Sequence, residues 1–230
     1  MKKTLMIAIT FFCLGALANA DTFTISGTSA AQNPTDFINW SQLGPAGTSV
    51  ASPWFVSTTG GNFAFPGNVD GSNFLREDQG SGWNGNFATG ANLVWTGNGA
   101  GGTGGQGFLI ALLNPVENIG FGIETYLPGP FTVTVEAFGV NGNLLSTDTL
   151  NGVSGGAIRT GSELFFGLDD TTGPNIGSIL ITTSNGVSGY ANNFAVGEVD
   201  LSYVPEPASM ALLGSALLGV AGLLGRKLLN

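Results

Sequence analysis

Histidine is absent from the 230 residues, and cysteine occurs once, at Cys13. Lysine occurs only at Lys2, Lys3 and Lys227, and one of the three arginines, Arg226, also lies near the C-terminal end. Between residues 21 and 204 the only basic side chains are Arg76 and Arg159, against 14 carboxylates, a formal charge of −12. These absences remove whole classes of chemistry. A Ser-His-Asp or Cys-His hydrolase, a Cys/His zinc site, a lysine Schiff base and a P-loop lysine each lack their central residue. Nucleic acid is excluded as a partner on the same ground, because phosphate recognition needs a positive face.

What is present is distributed unevenly. Residues 1–20 combine a basic start (Lys2, Lys3), an apolar run from Leu5 to Ala18 and the small-x-small sequence Ala18-Asn19-Ala20. This is the pattern of an export signal cut after Ala20. The apolar run is about 14 residues, whereas a bilayer span needs roughly 20. Cys13 lies inside that run, so the mature chain is expected to hold no disulfide and to draw its stability from burial.

The other end reads Val204-Pro205-Glu206-Pro207, then an uncharged stretch from Ala208 to Gly225, then Arg226-Lys227. As a helix, that stretch would rise about 27 Å, close to the hydrocarbon thickness of a bilayer. The basic pair holds the tail in the cytoplasm and leaves the acidic domain outside. Tripeptide, span and basic stop together resemble the PEP-CTERM protein-sorting signal. The resemblance implies recognition by an exosortase, a membrane cysteine protease-transpeptidase, and cleavage near Pro205, Glu206 and Pro207. It also implies a Gram-negative-type bacterium with an extracellular polysaccharide matrix, and hence a cell-surface or matrix destination with exopolysaccharide as a partner. Pro205 and Pro207 keep the segment extended, which suits presentation to a protease.

Between the ends, short apolar or alternating runs recur between Gly/Asn/Pro/Ser clusters. The clearest is Phe131–Phe138, with Phe131, Val133, Val135 and Ala137 on one face and Thr132, Thr134 and Glu136 on the other. Asn141-Gly142 and a second run, Leu144–Leu150, follow it and predict a hairpin. Many short strands with turns between them mean an all-β sandwich or barrel. The 16 Phe and 4 Trp argue against a disordered Gly-rich stalk. The repeated Asn151-Gly-Val-Ser-Gly155 and Asn185-Gly-Val-Ser-Gly189 read as two similar hairpin loops. Gly97–Gly107 reads as a flexible loop and hinge. Residues 36–203 are also similar to extracytoplasmic domains that commonly precede this sorting signal. The matching pieces include Asp36-Phe-Ile-Asn-Trp40, Gly82-Trp83-Asn-Gly-Asn-Phe87, Leu93-Val-Trp95-Thr96 and Gly129-Pro130-Phe131-Thr132. The resemblance implies a jelly-roll-like β-sandwich and brings no catalytic residues with it. The expected organisation is a signal peptide over 1–20, a sandwich domain over 21–203 and a sorting signal over 204–230, with its membrane helix at about 208–225.

Three chemistries remain open. A carboxylate pair of the glycoside-hydrolase type needs only acids, and Glu124 and Glu136 lie mid-strand where they could line a cleft. The acids Glu77, Asp78, Glu163, Glu198 and Asp200 are further candidates, and solvent-facing acids on a half-exposed sheet are the plainer alternative. The oxygen-rich run around Asp169 and Asp170 is a candidate calcium loop or a solvated turn. Trp83 with Asn84 and Asn86 is a candidate sugar contact, against the alternative that tryptophans fill the sandwich core or cover its edge. The reading is a non-enzymatic structural or glycan-associating surface protein, with a carbohydrate-active hydrolase as the alternative.

Overall fold

The computed structural model describes residues 23–97, 105–156, 160–187 and 189–203. In chain order the strands are β1 (Phe23–Ser26), β2 (Asp36–Ile38), β3 (Thr48–Val50), β4 (Val56–Ser57), β5 (Phe63–Asn68), β6 (Phe74–Gln79), β7 (Gly82–Trp83) and β8 (Asn92–Trp95). They continue as β9 (Phe108–Val116), β10 (Asn118–Thr125), β11 (Gly129–Gly139), β12 (Leu144–Ser154), β13 (Leu164–Asp170), β14 (Ile176–Ser184) and β15 (Phe194–Ser202). Among the described residues helix is confined to two four-residue turns, Ser29–Gln32 and Trp40–Leu43.

The strands form two sheets. The larger runs β1-β13-β10-β15-β8-β6-β3, with β2 also on β15 and β7 on β6, and the smaller runs β12-β11-β14-β9-β5-β4. Every pairing is antiparallel except that of the two-residue β7 with β6. Face to face, the sheets enclose a continuous core that includes Trp40, Phe74, Phe108, Phe121, Phe166 and Phe194. The fold is an all-β sandwich.

Local sequence explains the best-formed part. On β11, Phe131, Val133, Val135 and Ala137 all enter the core, as their alternation requires. Gly142 turns the hairpin into β12 at φ +77, a conformation that suits glycine. The two Asn-Gly-Val-Ser segments do not both form loops. Asn151–Ser154 is the last part of β12, paired residue by residue with β11, and only the second segment follows a strand end, that of β14. The reason is that Ser154 finds Gly129 opposite it and its hydroxyl donates to the Thr125 carbonyl at 2.8 Å, which extends the ladder. Residues 98–104, the greater part of the expected hinge, lie outside the described residues.

The two ends of the larger sheet are bounded by different segments. At one end Phe23, Asp170 and Asp169, Asn118 and Ser202 stand in a row across β1, β13, β10 and β15. At the other end Thr125 faces Phe194, and the turns into β11 and out of β14 lie there.

Candidate functional site

The outer face of the larger sheet is not solvent-exposed throughout. Leu93 and Trp95 on β8 and Ala195 on β15 alternate away from the core and meet Trp83 and Phe87 from the segment following β6. This second apolar cluster is fastened by Glu124, which is only 1% exposed. Its carboxylate accepts the Asn86 N–H at 2.7 Å, the Gly155 N–H at 3.0 Å and the Trp83 indole N–H at 3.4 Å. Burial raises the Glu124 carboxyl above the usual range; those three donors oppose the rise and the charge of nearby Glu163 adds to it. Burial also raises Glu163, one of whose oxygens is buried without a hydrogen-bond partner.

Trp83 is 2% exposed, so its ring is not the open sugar platform that the local sequence suggests. It packs edge-on against Trp95 (centroids 5.5 Å apart) and against Tyr126 (5.9 Å). The aromatic surface belongs to Tyr126 instead, 39% exposed and stacked on Trp95 at 5.1 Å and 12°. Tyr190 continues the row, its ring parallel to Tyr126 at 6.4 Å and 7°. Asn84 is exposed, whereas Asn86 is buried and donates its side-chain N–H to the Val153 carbonyl at 3.1 Å.

That bond leads to an open groove of about 690 Å³ on the outer face of the smaller sheet. Its walls are Pro130 and Thr132 of β11, Asn151–Val153 of β12, and Ser184 with Asn185 and Gly186 after β14. Thr132 pairs with both Asn151 and Ser184, so the three polar side chains form one row across three strands. The Thr132 hydroxyl donates to the Asn151 side-chain oxygen at 2.9 Å. No charged side chain lines the groove. The two Asn-Gly-Val segments, 34 positions apart, thus meet at one place. Sequence reasoning saw the repeat but not this convergence, because the register of β11 with both neighbours creates it.

Of the four tryptophans only Trp54 is substantially exposed, at 50%, beside a cleft of about 290 Å³ with Gln42, Thr48 and Ser49 in its lining. The cleft is lined by β3, an edge strand of the larger sheet, and by residues just before β4, away from the groove.

The acid pair Glu124 and Glu136 is not brought together. Glu124 alternates with core residue Ile123 on the larger sheet, and Glu136 with core residues Val135 and Ala137 on the smaller one, so they project from opposite outer faces. Two packed sheets, about 10 Å apart, separate them, beyond the roughly 5–9.5 Å that a hydrolytic pair spans. Asp170 is wholly buried and accepts from the Thr172 N–H (2.9 Å), the Thr172 hydroxyl (2.6 Å) and the Asn175 amide (2.9 Å). Asp169 occupies the opposite face of β13, its carboxyl raised by burial and then by the charge of Asp170. Among the described residues no three acidic, histidine or cysteine side chains gather where they could hold a metal ion.

Ala18, Ala20, Pro205, Glu206, Pro207, Arg226, Lys227 and the expected helix over 208–225 lie outside the described residues. Among the described residues no helix is long and apolar enough to cross a membrane. No curated protein matches the chain in sequence. The crystal structure of a DUF4465 family protein from Bacteroides caccae is similar at 11% identity and a TM-score of 0.36, over 78% of this chain and 100% of that chain. Residues 204–227 match the PEP-CTERM protein-sorting motif. That motif implies export, C-terminal membrane anchoring and then processing by an exosortase, a membrane protease. By this match the chain is an exported protein bearing a PEP-CTERM sorting motif.

Proposed function

We propose that the domain over 21–203 acts without catalysis, as a glycan-associating component of the cell surface or extracellular matrix. The observation that carries this reading is the uncharged groove lined by Thr132, Asn151, Ser184 and Asn185, at the same end of the sandwich as the parallel rings of Tyr126 and Tyr190. Hydroxyls and amides supply hydrogen bonds to sugar hydroxyls, and a half-exposed aromatic face covers the apolar side of a pyranose ring. A groove without charge favours a neutral polysaccharide, since the acidic domain would repel an acidic one. Adjacent strands stand about 4.8 Å apart, so the row Asn151-Thr132-Ser184 can meet successive sugar units of a chain lying across the strands.

The test is affinity electrophoresis of the full chain in gels cast with and without neutral polysaccharide. Retarded migration is expected, weakened by Tyr126→Ala and by Asn151→Ala combined with Asn185→Ala. Equal migration in all gels would remove the reading. Retention lost only in Trp54→Ala would move the site to the lateral cleft.

A further inference from the structure

Both membrane-directed segments of the chain leave the sandwich at the same end. Strand β1 begins at Phe23, three residues after Ala20, and β15 ends at Ser202, three residues before Pro205. Three extended residues reach about 10 Å. Phe23 faces Asp170, while Asn118 faces both Asp169 and Ser202, which places the two exits on one row of the larger sheet. Three strand spacings separate them, or about 14 Å. The C-terminal exit is held firmly: β15 is an inner strand, and the Tyr203 ring packs against the core.

The groove lies at the opposite end. Strand β10 runs from Asn118, in the row of exits, to Thr125, one residue before Tyr126. Its eight residues carry the chain about 25 Å along the sandwich. Among the described residues no free basic side chain offers a competing membrane contact. Between residues 21 and 204 the basic side chains are Arg159, outside the described residues, and Arg76, which is buried and ion-paired with Asp78.

We infer that, while its tail is embedded, the sandwich stands upright on the bilayer. The end bearing Phe23, Asn118, Asp169 and Ser202 faces the lipid surface, and the groove with Tyr126 and Tyr190 points outward. This rests on residues 208–225 being membrane-embedded and needs no sugar to be true. The geometry leaves the groove accessible to extracellular polymer before the tail is cut, so ligand capture does not have to wait for release.

The experiment uses the full chain with Cys13→Ser, reconstituted in lipid vesicles, with one new cysteine carrying a fluorophore. Asn141→Cys labels the hairpin at the exit end, and Val187→Cys labels the turn at the groove end. A quencher attached to lipid headgroups should quench the Asn141 position several-fold more than the Val187 position. A long Gly/Ser spacer, inserted both between Ala20 and Asp21 and between Tyr203 and Val204, should bring the two positions to similar quenching. Equal quenching in the chain without spacers, or stronger quenching at Val187, would overturn the upright arrangement. Failure of the chain to float with the vesicles would overturn it as well, by removing the anchor on which it depends.

Discussion

The Glu124 carboxylate accepts the Asn86 backbone N–H at 2.7 Å, and this bond ties the segment between β7 and β8 to the outer face of the larger sheet. The approach is close enough to constrain a neighbour. A Cβ added at Gly85 would stand 1.9 Å from the Glu124 carboxylate.

A double-mutant cycle follows from that geometry. Glu124→Ala strands two buried donors and one part-buried donor and should cost about 3 kcal/mol. Gly85→Ala should cost about 2 kcal/mol by displacing the carboxylate. The double variant should lie within about 0.5 kcal/mol of Glu124→Ala alone, because the clash disappears with its partner. Urea unfolding of the four proteins measures this, and simple additivity would show that Gly85 is constrained by something else.

Stability should fall as pH rises from mildly acidic to neutral. Burial raises Glu124, Glu163, Glu77 and Asp200 above their ordinary values, so the folded state holds protons that the unfolded chain has already released. Stability therefore decreases across the window that opens at the ordinary carboxyl value, about 4.3, and closes at the raised folded values. Asp36 behaves oppositely: burial alone would raise it, but bonds from Thr58, Gly60, Thr59 and Phe37 outweigh that and lower it. Its contribution is present above the ordinary value and is lost as pH falls through the depressed one. A melting series across this range should show a maximum in mild acid, with a shallower neutral decline in Glu163→Gln. A flat profile in both proteins would contradict the assignment.

Arg76 is the one cation buried among the described residues, with Asp78 at 2.5 Å and Asn92 as its partners. Asp78→Ala should cost about 1 kcal/mol, because it removes the ion-pair partner of a buried cation while Asp78 itself is 33% exposed and Glu77 still acts on Arg76. Arg76→Met together with Asp78→Ala should recover most of that loss. Denaturant midpoints of the single and double variants decide it.

Sorting is separable from folding. Replacing Pro205, Glu206 and Pro207 with alanine should leave the melting temperature unchanged, since these residues follow the last strand. In a host with an exosortase the variant should accumulate in the membrane fraction as a longer species than wild type. Equal mass and equal fractionation would mean that the tail is a plain anchor.

Several features of the fold and site were legible in the residues because their causes are local. The alternation of Phe131–Phe138 and the Asn141-Gly142 turn predict the β11–β12 hairpin, and the structure has it. Strand β6 was not legible. Its sequence, FLREDQ, places Arg76 and Glu77 side by side and both are buried, so neither face reads as solvent. The cause is non-local: the apolar cluster around Trp83, Phe87 and Trp95 covers the sheet's outer face, and a strand covered on both sides loses its polar alternation. The same cover buries Trp83, for which the sequence left both a sugar contact and a core position open.

The sequence by itself determined the address and the class of fold. A sorting motif and a strand-turn rhythm are each written in contiguous residues, and their physics needs no distant partner. Only the tertiary structure decided which side chains meet. It split Glu124 from Glu136 by placing their strands in different sheets, and it joined Asn151 to Ser184 through Thr132 by strand register. It also set the Tyr126 ring parallel to those of Trp95 and Tyr190. Those outcomes depend on pairings between segments far apart in the chain, and no local pattern specifies them.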